Sequence, residues 1–295
     1  MPKLTTNSTS TTNPADSTGA NPTDVNTTVP MVATATETTE MVPVTVTARL
    51  QQGIVFDLRF GTAFDGLLAS TIRDQAKAVH YQETGRIVTG SMLDGGTRIK
   101  TPATVELPLA RCQNAADDDW HWLATTGYPL GWDGELVAGD PDVHYLHTRL
   151  REHVAEQTVL KMPTTIDASS GRFRNYRLPV PVTVAYAVAW RAVGDPDKLR
   201  ELTSAITSIG GRRNSGEGAV LSWDVTVDEA GDWNQFGHLH PDGTLGRPTP
   251  TSCASKLPDT TFNPARTGMA GIRPPYFHAA TQRHVLLPEP FHHRR

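Results

Sequence analysis

Regular alternation of apolar and polar positions begins abruptly at residue 42. The stretch VPVTVTARL, Val42 to Leu50, follows the period of two of a half-buried strand and is rich in β-branched residues. A turn at Gln52-Gly53 leads into a second extended run, Ile54-Val55-Phe56-Asp57. Phe64, Leu67, Leu68, Ile72 and Ala76 then recur at helical spacing, which predicts a first helix reaching His80. From about residue 85 to 180, glycine and proline break the pattern into hairpins and long loops, with one predicted helix over Thr148 to Val159. This stretch reads as a thumb-like insertion. Val182 to Trp190 predicts another strand, and in Gly194-Asp195-Pro196 the aspartate suits a helix cap and the proline the first helical position. Leu199, Leu202, Ala205 and Ile206 mark the apolar face of a second helix. A glycine-rich loop separates it from a last strand, Ala219 to Val227, and the remainder, rich in Pro, Gly and His, reads as mostly irregular.

Strand, helix, a long middle able to hold a β-hairpin, helix and strand is the βαββαβ order of a ferredoxin-like, RRM-like α+β fold. Composition sets its limits. Hydrophobic residues make up 38% of the 295 positions, enough to bury a core. Residues 1–40 are mostly Thr, Ser, Asn, Ala and Pro and predict a disordered leader ahead of one domain, 41–295.

The net charge of −4 excludes a uniformly basic face that coats duplex DNA, so any nucleic-acid site must be local. No stretch is long and apolar enough to span a bilayer, and MPKLTTNSTS lacks the apolar segment of a secretion signal, so a cytoplasmic location without a membrane partner is expected. The two cysteines, Cys112 and Cys253, form no CxxC pattern, and neither a disulfide framework nor a cysteine zinc site is expected. His144-x-x-His147 suits a metal pair on one helical face but lacks a third ligand at a telling distance, so neither metal nor cofactor is predicted. Asp117-Asp118-Asp119 reads as the acidic start of a helix.

The loop Gly210-Gly211-Arg212-Arg213-Asn214-Ser215-Gly216-Glu217-Gly218 carries the candidate chemistry. Gly211 and Gly216 have the internal spacing of a nucleotide-binding P-loop. Glu217-Gly218 stands where that motif needs Lys followed by Ser or Thr, and the loop runs from helix to strand, so NTP binding is excluded. Glycines let backbone N–H groups approach phosphate oxygens, and the forked donors of Arg212 and Arg213 suit the same ligand. Ahead of the second strand-helix unit, Arg172, Phe173, Arg174, Tyr176 and Arg177 alternate cationic and aromatic side chains, a pattern suited to phosphates and stacked bases of a single strand. The histidines form no visible base, acid and loop constellation, and no catalytic residue is predicted.

The run Arg172-Phe173-Arg174-Asn175-Tyr176-Arg177-Leu178-Pro179, the turn Ala192-Val193-Gly194-Asp195, and Ile209 through Gly218 leading to Trp223 resemble the RAMP superfamily of CRISPR-associated RNA-binding proteins. Within it the chain most resembles the 5′-handle-capping backbone subunit of type IV CRISPR effector complexes. Phe64-Asp65-Gly66-Leu67-Leu68-Ala69 and Ile272-Arg273-Pro274-Pro275-Tyr276 share the likeness, which covers about residues 42 to 290 and is most specific over 170 to 225. The resemblance implies a non-catalytic subunit that holds the 5′ handle of the crRNA. It implies assembly beside the multi-copy backbone subunit and the large subunit, meeting target DNA through the complex. Carried onto this chain, Gly210, Gly211, Arg212, Arg213, Asn214, Ser215, Gly216 and Gly218 form the RNA-binding loop, and Arg172, Arg174, Tyr176 and Arg177 the basic arm. Some relatives in the superfamily cut precursor guide RNA, and the alternative is a metal-independent endoribonuclease. Glu217 departs from the pattern, lowering the local positive potential, and the Thr-rich leader has no counterpart.

Overall fold

A computed structural model of the chain describes residues 40–56, 61–87, 104–113, 117–137, 141–148, 169–170, 176–257 and 266–289. The leader up to residue 39 and most of the helix predicted after Thr148 lie outside the described residues. In chain order the first elements are β1 (Val42–Leu50), β2 (Gly53–Ile54), α1 (Phe64–Thr84), β3 (Tyr128–Leu130), β4 (Asp142–Thr148), β5 (Tyr176–Val184) and β6 (Ala187–Gly194). They are followed by α2 (Pro196–Ser204), β7 (Val220–Val227), α3 (Trp233–His238), β8 (Thr249–Pro250), α4 (Thr251–Ala254), β9 (Thr267–Gly271) and β10 (Gln282–Leu286).

The alternation that predicts β1 is the alternation of burial. Val44, Val46, Ala48 and Leu50 face the core, and β1 lies between β6 and β7 in a four-stranded sheet of order β3-β6-β1-β7. Every pairing in it is antiparallel, with Val46 opposite Trp190 on one side and Val225 on the other. Each fully buried valine on that face contributes about 1.5–3 kcal/mol through removal from water. The α1 helix anchors through Phe64, Leu68 and Ala69 at its first turns. The Phe64 ring lies 5.6 Å from Trp190, which in turn stacks at 5.7 Å on Trp223. The Trp190 indole N–H donates to the carbonyl of Thr62 at 2.8 Å, so this large ring is buried without an unpaired donor. The cap predicted for the second helix is present: the Asp195 carboxylate accepts from the amides of Asp197 and Lys198, each at 3.1 Å, with Pro196 in the first turn.

Three features differ from the sequence pattern. The apolar run from Val182 to Trp190 is two strands rather than one. The chain breaks at Ala185-Tyr186, where the Tyr186 amide donates to Leu130 and its carbonyl accepts from Leu50, so β5 leaves the main sheet and pairs with β2 and β4. Periodicity sees apolar alternation on both sides of the break but not the change of sheet. The middle of the chain contributes to the core as well, since β3 is an edge of the main sheet and Trp122, Leu123 and Ala124 are buried. The tail after residue 230 carries α3, α4 and a three-stranded sheet of order β8-β10-β9, whose strands of two to five residues are too short to show a period.

His144 and His147 both fall in β4, so the helical spacing that would pair them does not apply. Asp117–Asp119 is a short 3-10 turn rather than the start of a longer helix, and the Asp119 carboxylate accepts from the Arg283 guanidinium and the Ser252 hydroxyl, each at 3.0 Å. Among the described residues no helix is long and apolar enough to cross a membrane.

Candidate nucleic-acid interface

The glycine loop is pinned at both ends to the segment around β2. The Gly211 amide donates to Val55 and the Gly218 amide to Gly53, each at 2.8 Å. Gly218, at φ 69°, approaches so closely that a Cβ there would lie 1.9 Å from the carbonyl oxygen of Ile209. Its glycine is therefore demanded by the fold itself. Gly216 is different: it has φ 90° and faces open space, where a Cβ would meet nothing within 4 Å, so only its backbone conformation requires glycine.

Between these points Arg213–Ser215 makes a single 3-10 turn, closed by bonds from Ser215 to Arg212 and from Gly216 to Arg213. The N–H groups of Arg213 and Asn214, at its start, stay outside the hydrogen bonds of the loop. Arg212 has φ 56°, a left-handed conformation unusual for a residue with a side chain. Arg212, Arg213, Asn214, Ser215 and Gly216 are exposed, and neither arginine is ion-paired among the described residues.

Glu217 does not project into this cationic surface. It is buried, and its carboxylate meets Nδ1 of His144 in β4 at 3.0 Å. The departure noted in the sequence thus fastens the loop to the β4–β5 hairpin. In that hairpin His144 is opposite Val180 and His147 opposite Arg177. Strand alternation places Tyr176 on the same face as His144, and Arg177 on the other, where its guanidinium lies 3.7 Å over the Tyr145 ring. The loop and Tyr176 therefore share a side of the hairpin that Arg177 does not. Tyr176 is 51% exposed. Arg172 and Arg174 lie outside the described residues.

Gly210, Gly211 and Arg213 open on a cleft of about 650 Å³, whose other walls are the start of α1 and the segment from β9 to β10. Phe277 and Met269 line it while 97% and 66% exposed. Their exposure is a signal that the sequence hides, because an isolated Phe or Met reads as core until the fold places it. Behind this wall is a buried polar network. Asp65 accepts from the Tyr276 hydroxyl and from the Gly66 amide at 2.9 Å, and its second oxygen is 3.6 Å from the Arg247 guanidinium. Arg247 also donates to the carbonyls of Trp122, Ala124 and Ile272. Burial holds the Asp65 carboxyl above its ordinary value, and Arg247, the Tyr276 hydroxyl and the Gly66 amide offset only part of that rise. The segments Phe64–Ala69 and Ile272–Tyr276, far apart in sequence, are thus parts of one assembly that sets the position of the cleft wall.

The molecule is therefore an α+β protein of antiparallel sheets presenting a cationic, glycine-rich loop beside an open cleft. Residues 42–288 match the family of the CRISPR type IV associated protein Csf3, and the chain belongs to that family. No curated protein matches it.

Proposed function

We propose that the chain is a non-catalytic RNA-binding subunit of a type IV CRISPR ribonucleoprotein complex, in which the glycine loop grips the 5′ handle of the crRNA. The observation that carries this reading is the exposed loop itself: among the described residues Arg212 and Arg213 have no ion-pair partner, and Arg213 lines the adjoining cleft with Gly210 and Gly211. Guanidinium groups and free N–H groups are the donors that phosphate oxygens require. Phe277 offers an unpaired base a face on which to stack, and Met269 an apolar contact beside it.

The core is ferredoxin-like and of the RAMP type. This is supported by the order β1-α1-β3-β6-α2-β7 along the chain and β3-β6-β1-β7 across the sheet, in which each terminal strand is joined to the hairpin pair through a helix. The multi-copy backbone subunit and the large subunit are its protein partners, and target DNA is met through the assembled complex.

The test is a salt series of binding to labelled repeat RNA by the parent chain and by the double variant Arg212→Ala, Arg213→Ala. The variant is expected to bind at least tenfold more weakly at physiological salt. Parent-like affinity would remove the loop from the interface. The same RNA, incubated with the parent chain in EDTA, is expected to shift without being cut; a product ending in a cyclic phosphate would replace this reading with a metal-independent endoribonuclease.

A further inference from the structure

Four side chains that the RNA-binding surface does not use converge in the interior. Cys112, His121, His238 and Cys253 are all buried, and their ligand atoms lie within 4.8 Å of one another. Cys112 and His121 stand opposite each other on a short hairpin, where the Cys112 amide donates to the His121 carbonyl at 2.8 Å and Arg111 pairs with Trp122. His238 ends α3 and Cys253 lies in α4. The two sulfurs are 3.3 Å apart, the two histidine Nε2 atoms 3.0 Å, and Cys253 Sγ is 3.5 Å from His238 Nε2.

The hydrogen bonds behind the rings decide what this cluster can be. Nδ1 of His121 lies 3.0 Å from the carbonyl of Asp119, and Nδ1 of His238 lies 2.8 Å from the carbonyl of Asn234. A carbonyl only accepts, so each Nδ1 carries the ring proton. In the neutral rings both Nε2 atoms then present lone pairs to each other at 3.0 Å, with two sulfurs alongside. That contact is repulsive unless a proton is shared between the rings or a metal cation sits among the four atoms, and only the metal also engages the two sulfurs. A carbonyl behind each histidine is also the arrangement that orients imidazoles as metal ligands.

We propose that Cys112, His121, His238 and Cys253 bind one Zn²⁺ as a closed structural site. Zinc bonds of about 2.3 Å to sulfur and about 2.0–2.1 Å to nitrogen define a tetrahedron with edges of about 3.8 Å between sulfurs and about 3.3 Å between nitrogens. The observed separations of 3.3 and 3.0 Å need to open by only a few tenths of an ångström. Two soft thiolates and two imidazoles select zinc over magnesium or calcium, and the thiolates neutralise its charge in an interior site. With four protein ligands and no open position, the ion braces rather than catalyses. It joins the hairpin, which is hydrogen-bonded to β6 through Val193, to the two helices of the C-terminal region. A zinc-free chain would leave the RNA proposal standing, since none of the four residues touches the loop or lines the cleft.

The test uses the full chain, produced with zinc in the medium and purified without chelator. Elemental analysis is expected to find one zinc per chain, and intact mass to show both cysteines as free thiols once the metal is removed. Stripping with a strong chelator is expected to lower the melting temperature by roughly 10 °C, with recovery on adding Zn²⁺. Reloading with Co²⁺ is expected to produce the visible bands of a tetrahedral site and a thiolate charge-transfer band, both missing from Cys112→Ser and His238→Ala. Should those variants fail to fold, zinc content and the cobalt spectrum of the parent chain decide alone. No metal above background overturns the proposal, and so does a Cys112–Cys253 disulfide in the freshly purified protein.

Discussion

The glycine loop and the cysteine-histidine cluster are opposite solutions to placing polar groups. The loop is contiguous in sequence, exposed over Arg212 to Gly216, and leaves donors outside its own hydrogen bonds. The cluster draws on two pairs of residues 117 and 141 positions apart and is wholly buried, with the outer nitrogen of each ring committed to a carbonyl. A group left open to water costs little and stays available to a ligand, whereas a buried one must be satisfied within the fold. Substitutions in the two regions should accordingly separate binding from stability.

The largest stability effect is expected behind the cleft wall. Arg247→Met removes the cation beside the buried Asp65 carboxyl and the donor of three buried carbonyls, and should cost about 3–5 kcal/mol in urea or thermal denaturation. A loss below about 1 kcal/mol would mean that neither the Asp65 carboxyl nor the three carbonyls depend on Arg247. Gly218→Ala comes next, at about 3 kcal/mol, because it adds a clash with Ile209 to a left-handed backbone. Gly216→Ala, whose added methyl group enters open space, should cost about 1 kcal/mol for its φ alone. If the two glycine variants proved equally costly, the distinction between a glycine held by the fold and one facing open space would fail.

Smallest in stability is the loop double variant, Arg212→Ala with Arg213→Ala, which should stay within about 0.5 kcal/mol of the parent. Its signature lies in binding. Loss of two phosphate contacts lowers the slope of log affinity against log salt by about 1.4 for a single strand. An unchanged slope with weakened binding would assign the arginines to protein contacts instead.

Legibility in the sequence followed the range of the interactions. The β1 strand, the start of α1, the Asp195 cap and the extent of the glycine loop are each decided by neighbours within a few residues, and each is found where the pattern puts it. The strand break at Tyr186 is not, because it depends on hydrogen bonds to Leu130 and Leu50. Glu217 reads in sequence as a misplaced negative charge; only the meeting with His144 turns it inward. Phe277 lies in a tail that reads as irregular, and only the fold places it on the cleft.

Periodicity, capping residues and glycine spacing were sufficient for the α+β class, most of the main sheet and the cationic loop, since backbone preference and alternating burial act over one or two turns of chain. Folding decided the rest. It set which strands share a sheet, opened the cleft, and brought Cys112 and Cys253, 141 positions apart in the chain, to 3.3 Å. Those outcomes come from packing between distant segments, and no local pattern encodes which distant segment will arrive.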